Sequence, residues 1–193
     1  MTRRSNAIKD AFVAYSRFVK EPKALEHKKI KATKPPAVVA GVKRNNVLGA
    51  SGINYEGVHG RKWFGVEISL EDRHKYHLRI YADVFGDGPC FRFDSKGRAH
   101  SNPETGTGLR NRQVRTPHFH KFNEEGVEIA FQTATLREES ESSRIVSDYK
   151  FGLEHFCQEA RLTCNDGTHP LLELEAGEFD LSSGDPLNGV PFK

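Results

Sequence analysis

The chain has 193 residues, 36% of them hydrophobic, with 13 Phe, three Cys and a formal net charge of +3. That length fits one domain with appendages or two small ones. No apolar run approaches the roughly 18 residues of a membrane span, no secretory-type stretch follows the basic start, and three cysteines without a CxxC pair suit a reducing, cytoplasmic setting.

Residues 5–20, SNAIKDAFVAYSRFVK, have the spacing of an amphipathic helix, with Ser5 or Asn6 as its cap and Ile8, Phe12, Tyr15, Phe18 and Val19 on one face. From Glu21 to about Ala50 the composition turns basic, and HKKIKATKPP reads as an extended linker. The first 50 residues hold twelve Lys and Arg against three acids, leaving 17 of the 29 basic and 23 of the 26 acidic residues to the rest. Such a split predicts a basic arm that meets an anionic partner: nucleic acid, an acidic protein, or the chain's own acidic half.

Strands follow. Lys62–Leu70 alternates, and Lys75–Phe85 alternates more cleanly, with Tyr76, Leu78, Ile80, Ala82 and Val84 on one face and His77, Arg79, Tyr81 and Asp83 on the other. Gly86-Asp87-Gly88-Pro89 predicts a turn into a strand at Cys90–Asp94. Gln113–Phe122 and Val127–Thr133 form a second hairpin around Asn123-Glu124-Glu125-Gly126. Residues 137–143 read as a solvated acidic loop, and Ile145 to Ala160 as a helix on the sheet. The expected architecture is an α+β fold, an antiparallel sheet of about five strands with one or two packed helices. It divides into a basic helical arm and linker (1–50), a core domain (51–165) and an acidic, largely irregular tail (166–193).

The segment 99–121, AHSNPETGTGLRNRQVRTPHFHK, carries the chemistry. On a strand, His118 and His120 share a face while Phe119 points to the core. His100 joins them if the Gly-rich loop closes. Arg92, Arg110, Arg112 and Arg115 are the candidate phosphate binders. The spacing suits acid–base work by His100, His118 and His120 without a metal or cofactor, or the same three histidines as metal ligands. Solvent-facing histidines and cross-strand ion pairs are the plain alternatives. No P-loop, G-x-G-x-x-G, G-x-S-x-G or H-E-x-x-H is present, which excludes the enzyme classes built on them.

Arg92-Phe93-Asp94, His100-Ser101-Asn102-Pro103 and His118-Phe119-His120 with Phe122 resemble an uncharacterised family of small prokaryotic proteins with an R-x-D…H-x-N-P…H-x-H pattern. The resemblance spans about Tyr76 to Cys157, and the chain departs from it by the inserted LRNRQVR. The family is similar in layout to small toxin proteins of toxin–antitoxin and mobile-element loci. The resemblance implies a link to such conflict systems, some of whose toxins act on RNA. Read with the residues themselves, the first expectation is a ribonuclease-like, phosphodiester-directed enzyme in which His118 or His120 is the general base, His100 the acid, and Arg92, Arg110, Arg112 or Arg115 the phosphorane stabiliser. RNA is then the partner, with an antitoxin or a second copy of the chain as further candidates and no membrane involved. The alternative is a non-catalytic nucleic-acid- or protein-binding module of a mobile-element or phage conflict system.

Overall fold

The structure, a computed structural model, describes residues 3–35, 45–103 and 113–175. Two short helices come first, α1 (Asn6–Asp10) and α2 (Phe12–Lys20), where the spacing predicts a single helix; the break falls at Ala11. Ser5 caps α1, its Oγ accepting the Ile8 N–H at 3.2 Å. Then come β1 (Lys23–Leu25), β2 (Lys29–Ala32), β3 (Asn46–Asn54), β4 (Lys62–Ser69), β5 (Tyr76–Ala82), a 3-10 turn (Asp83–Phe85) and β6 (Phe91–Asp94). After β7 (His100–Ser101), β8 (Gln113–Val114), β9 (His118–Phe122) and β10 (Glu128–Phe131) stand α3 (Ala134–Arg137), α4 (Glu139–Ser147) and α5 (Tyr149–Glu159). Strands β11 (Leu162–Cys164) and β12 (Leu171–Leu174) complete the described chain.

Eight strands form one sheet in the order β10-β9-β6-β5-β4-β3-β1-β11. The β1–β11 pair is parallel and every other neighbour in this sheet is antiparallel. This corrects the expected five-strand antiparallel sheet with one or two helices: the sheet is larger and mixed, and among the described residues five α-helices accompany it. Strands β1, β2 and β3 stand where a basic linker was expected, for a physical reason. Lys23-Ala24-Leu25 and Lys29-Ile30-Lys31-Ala32 interleave lysine with apolar residues, so they look like a basic linker. Asn46–Asn54 is built of small residues with little β-branched or aromatic content. What recruits β1 and β2 is long-range pairing, β2 to β12 and β1 to β11, which no local pattern encodes, while β3 pairs with the neighbouring β4. The beginning of the expected acidic tail therefore enters a strand, and residues 176–193 lie outside the described residues. The acidic stretch 137–143 also departs from expectation: α4 starts at Glu139, and Glu139 and Glu141 suit the positive end of its dipole.

One face of the sheet is a phenylalanine core. The rings of Phe64, Phe91 and Phe119 stand 5.5, 5.7 and 6.1 Å from that of Phe156 on α5. The β2–β12 ribbon closes over β3, so near that a Cβ on Gly49 would lie 2.9 Å from the Ile30 Cγ2. Helix α2 is tied in by the buried Tyr15 hydroxyl, which donates to the Cys90 carbonyl (3.0 Å) and accepts the Phe122 N–H (2.8 Å). Residues 3–5 run beside β10, with Glu128 N–H donating to the Arg3 carbonyl (2.9 Å) and Ser5 N–H to the Gly126 carbonyl (2.8 Å). Among the described residues, no helix is long and apolar enough to cross a membrane.

Candidate functional site

Strand alternation assigns the other face. Phe91, Phe93 and Phe119 turn to the core, so Arg92, Asp94, His118 and His120 turn away from it. Register then aligns them in two rows: His77, Asp94 and His118 face one another across β5, β6 and β9, and Arg79, Arg92 and His120 form the next row. Glu128 extends the face onto β10, opposite Phe122.

Asn102 brings in the third histidine. The β7–β8 ribbon pairs His100 with Val114, and Asn102 docks it on the free edge of β10. The Asn102 Nδ2 donates to the Ala130 carbonyl (2.8 Å), and the Ala130 N–H donates back to Oδ1 (2.7 Å). This side chain mimics a strand partner rather than making the turn its Asn-Pro pair suggests. The result is convergence. Ring centres of His118 and His120 are 4.6 Å apart, those of His100 and His120 4.9 Å, and those of His100 and His118 6.3 Å.

The cluster is a charge network. Asp94 Oδ1 accepts from His77 Nδ1 at 2.7 Å, while Oδ2 lies 3.1 Å from His120 Nε2 and 3.8 Å from His118 Nε2. The Arg92 guanidinium lies against the His120 ring, its Nη2 3.2 and 3.3 Å from the two ring nitrogens. It also reaches Asp94 (3.6 Å) and Glu128 (3.5 Å). Burial alone would raise the Asp94 carboxyl, but hydrogen bonds from His120 and His77 and the Arg92 charge hold it far below the usual range. Burial lowers all three histidines, His120 to about 4, so the rings are neutral at pH 7. Burial raises Glu128. Among the described residues four buried side-chain polar atoms have no hydrogen-bond partner, and three of them are here: Arg92 Nε, His100 Nε2 and His118 Nδ1.

Of the expected site residues, His100, His118, His120 and Arg92 come together. Arg115 does not join them; it is exposed, and its carbonyl accepts from Gln132 Nε2 at 3.1 Å. It lines a separate cavity of about 650 Å³ with Asn102, Val114, Gln132 and Arg137, and none of the histidines lines it. Arg110 and Arg112 lie outside the described residues. Sequence reasoning missed Asp94 as a member of the cluster, together with His77, Glu128 and Asn102. The alternation of β5 placed His77 on the polar face, but only register puts it against Asp94. The three donors nearest a common point are Asp94, His118 and His120, one atom from each within 4.8 Å of the others, rather than three histidines. Arg79, on the same face, is taken by Glu67 at 2.6 Å. The chain matches no protein-family model, no curated protein and no solved structure.

Proposed function

We propose that this face is the active site of a phosphodiester-directed enzyme of ribonuclease type, of the toxin or defence class. The observation that supports it most is the gathering of His100, His118, His120 and Arg92 beside the half-buried Asp94, with three buried nitrogens, on His100, His118 and Arg92, that make no hydrogen bond. Buried polar groups elsewhere in proteins find partners, and the exceptions mark sites where something else binds. The arrangement refines the roles. His118 and His120 are 2% and 1% exposed, too deep to reach a ribose hydroxyl, whereas His100 is half-buried on the docked ribbon. His100, expected above as the acid, is therefore the base: its neutral ring accepts the 2′-hydroxyl proton as the 2′-oxygen attacks phosphorus, and the P–O5′ bond breaks with the departing 5′-oxygen taking a proton from water. The Arg92 guanidinium, 27% exposed, receives the non-bridging phosphate oxygens.

RNA is the substrate class this reading implies, with cationic residues of the N-terminal quarter adding salt-sensitive affinity. Part of that charge is met within the chain, Lys28 by Asp166 and Lys29 by Glu173, each at 2.7 Å. The test is cleavage of end-labelled single-stranded RNA by the purified full chain, with and without added Zn²⁺. His100→Ala should lower the rate ~100-fold or more, and Arg92→Gln comparably. A folded chain that cleaves no RNA under either condition, or a His100→Ala variant as active as the parent, would end this reading.

A further inference from the structure

His118 and His120 lie too deep to touch a substrate, yet both turn a ring nitrogen toward the same carboxylate oxygen, at 3.8 and 3.1 Å. We propose that Asp94, His118 and His120 bind a divalent transition-metal ion of the zinc class. The spacing suits it: three donors within 4.8 Å of one another can each approach a central ion at about 2.0–2.2 Å. Two imidazoles and one carboxylate leave coordination positions open, as catalytic rather than structural sites do.

Two features of the strands support the assignment independently of the donor count. The first is orientation. An ionised carboxylate only accepts, so His77 Nδ1 carries the proton in its 2.7 Å bond to Asp94 Oδ1. That bond leaves Oδ2 directed at the two rings, as hydrogen-bonded outer partners direct metal ligands. The second is rigidity: Asp94 and His118 are directly opposed in the β6–β9 ladder, and His120 lies two residues further along the same strand face. Rigid strands, not loops, set the ligand directions.

Arg92 is the obvious objection, since its Nε stands 3.6 Å from Asp94 Oδ2 and like charge opposes a cation. Glu128 answers it. This buried carboxylate lies 3.5 Å from Arg92 Nη2 and 3.6 Å from Arg3 Nη1, so the two acids and two arginines of the cluster balance before any ion binds. The site needs no RNA and no reaction to exist.

The experiment is calorimetric titration of the chelator-treated full chain with Zn²⁺ alone, and with Mg²⁺ as the hard-cation control. One Zn²⁺ per chain should bind and Mg²⁺ should not. Asp94→Asn, nearly isosteric and able to keep the His77 bond, should abolish binding. His77→Phe should weaken it ~10- to 100-fold. Far-UV circular dichroism checks that each variant is folded. Should the variants not fold, the visible spectrum of the Co²⁺-loaded parent reports its ligands directly, and nitrogen–oxygen ligation is the expected signature. A parent chain that binds neither ion, or a folded Asp94→Asn variant that binds Zn²⁺ as the parent does, overturns the proposal. RNA cleavage by a chain that takes up no zinc defeats the metal site and leaves the enzymatic reading intact; zinc uptake without cleavage does the opposite.

Discussion

The two faces of β5, β6 and β9 are made from the same residues in alternation, and they obey opposite rules. Phe91, Phe93 and Phe119 go one way and pack on each other, on Tyr76 and Phe131, and on Phe156 of α5. Arg92, Asp94, His118 and His120 go the other way and are held by direction-dependent contacts, several of them incomplete. The first face stabilises the fold through area alone. The second is sealed at His118 and His120 but partly open at Arg92 and Asp94, and it keeps buried polar atoms without hydrogen-bond partners, which costs stability.

The largest expected effect breaks the apolar side. Phe119 is fully buried and its ring lies within 4.9–6.1 Å of Phe91, Phe93, Phe131 and Phe156. Phe119→Ala should cost about 4 kcal/mol, from lost transfer energy and the cavity left among rigid rings. Urea unfolding gives the number. A loss under about 1 kcal/mol would mean that α5 collapses onto the gap, and that the two faces differ less in rigidity than their contacts say.

How far the sequence foretells each face follows from the range of the interactions. Alternation in Tyr76–Ala82 and in His118–Phe122 is a two-residue pattern, so it shows which side chains share a face. It also separates Phe119 from its flanking histidines. Register is different. Nothing in Phe91-Arg92-Phe93-Asp94 says that Asp94 lies opposite both His77 and His118, because a shift of two residues would keep every face and lose the cluster. Asn102 is the harder case: beside Pro103 it carries a turn signal, while its buried role depends on an edge strand 28 residues away. The lysine-rich β1 and β2 were hidden for the same reason, their partners lying far along the chain.

Asn102→Ala sharpens the comparison from the polar side, with an intermediate effect. It removes both bonds to Ala130, leaving a buried N–H and carbonyl unmet, at about 2 kcal/mol. More telling is where the loss appears. Amide exchange at Ala130 should quicken and RNA cleavage fall with that at His100, while the phenylalanine face keeps its protection. Equal loosening of both faces would show that the ribbon supports the fold at large rather than His100.

The smallest effect is a slope, and it reads the apolar side again. Burial pushes the Cys90 thiol from its ordinary 9.0 up to about 12. Below pH 9 the thiol is protonated folded or unfolded and contributes no pH dependence. Between 9 and about 12 the unfolded chain releases the proton and the native chain keeps it, so the unfolded state binds fewer protons and stability falls as pH rises. Burial raises Cys157, Tyr15 and Tyr76 as well, in the same sense. Lys23 works the other way: burial lowers it to about 8, so its contribution grows as pH rises from there toward its ordinary value of 10.5. The useful measurement is therefore a difference. Urea midpoints of the parent and of Cys90→Ala at pH 8.5, 9.5 and 10.5 should converge, the parent losing about 1 kcal/mol more per pH unit above 9. Parallel curves would mean that water reaches Cys90 beneath α2, and that the apolar face is less sealed there than its 0% exposure indicates.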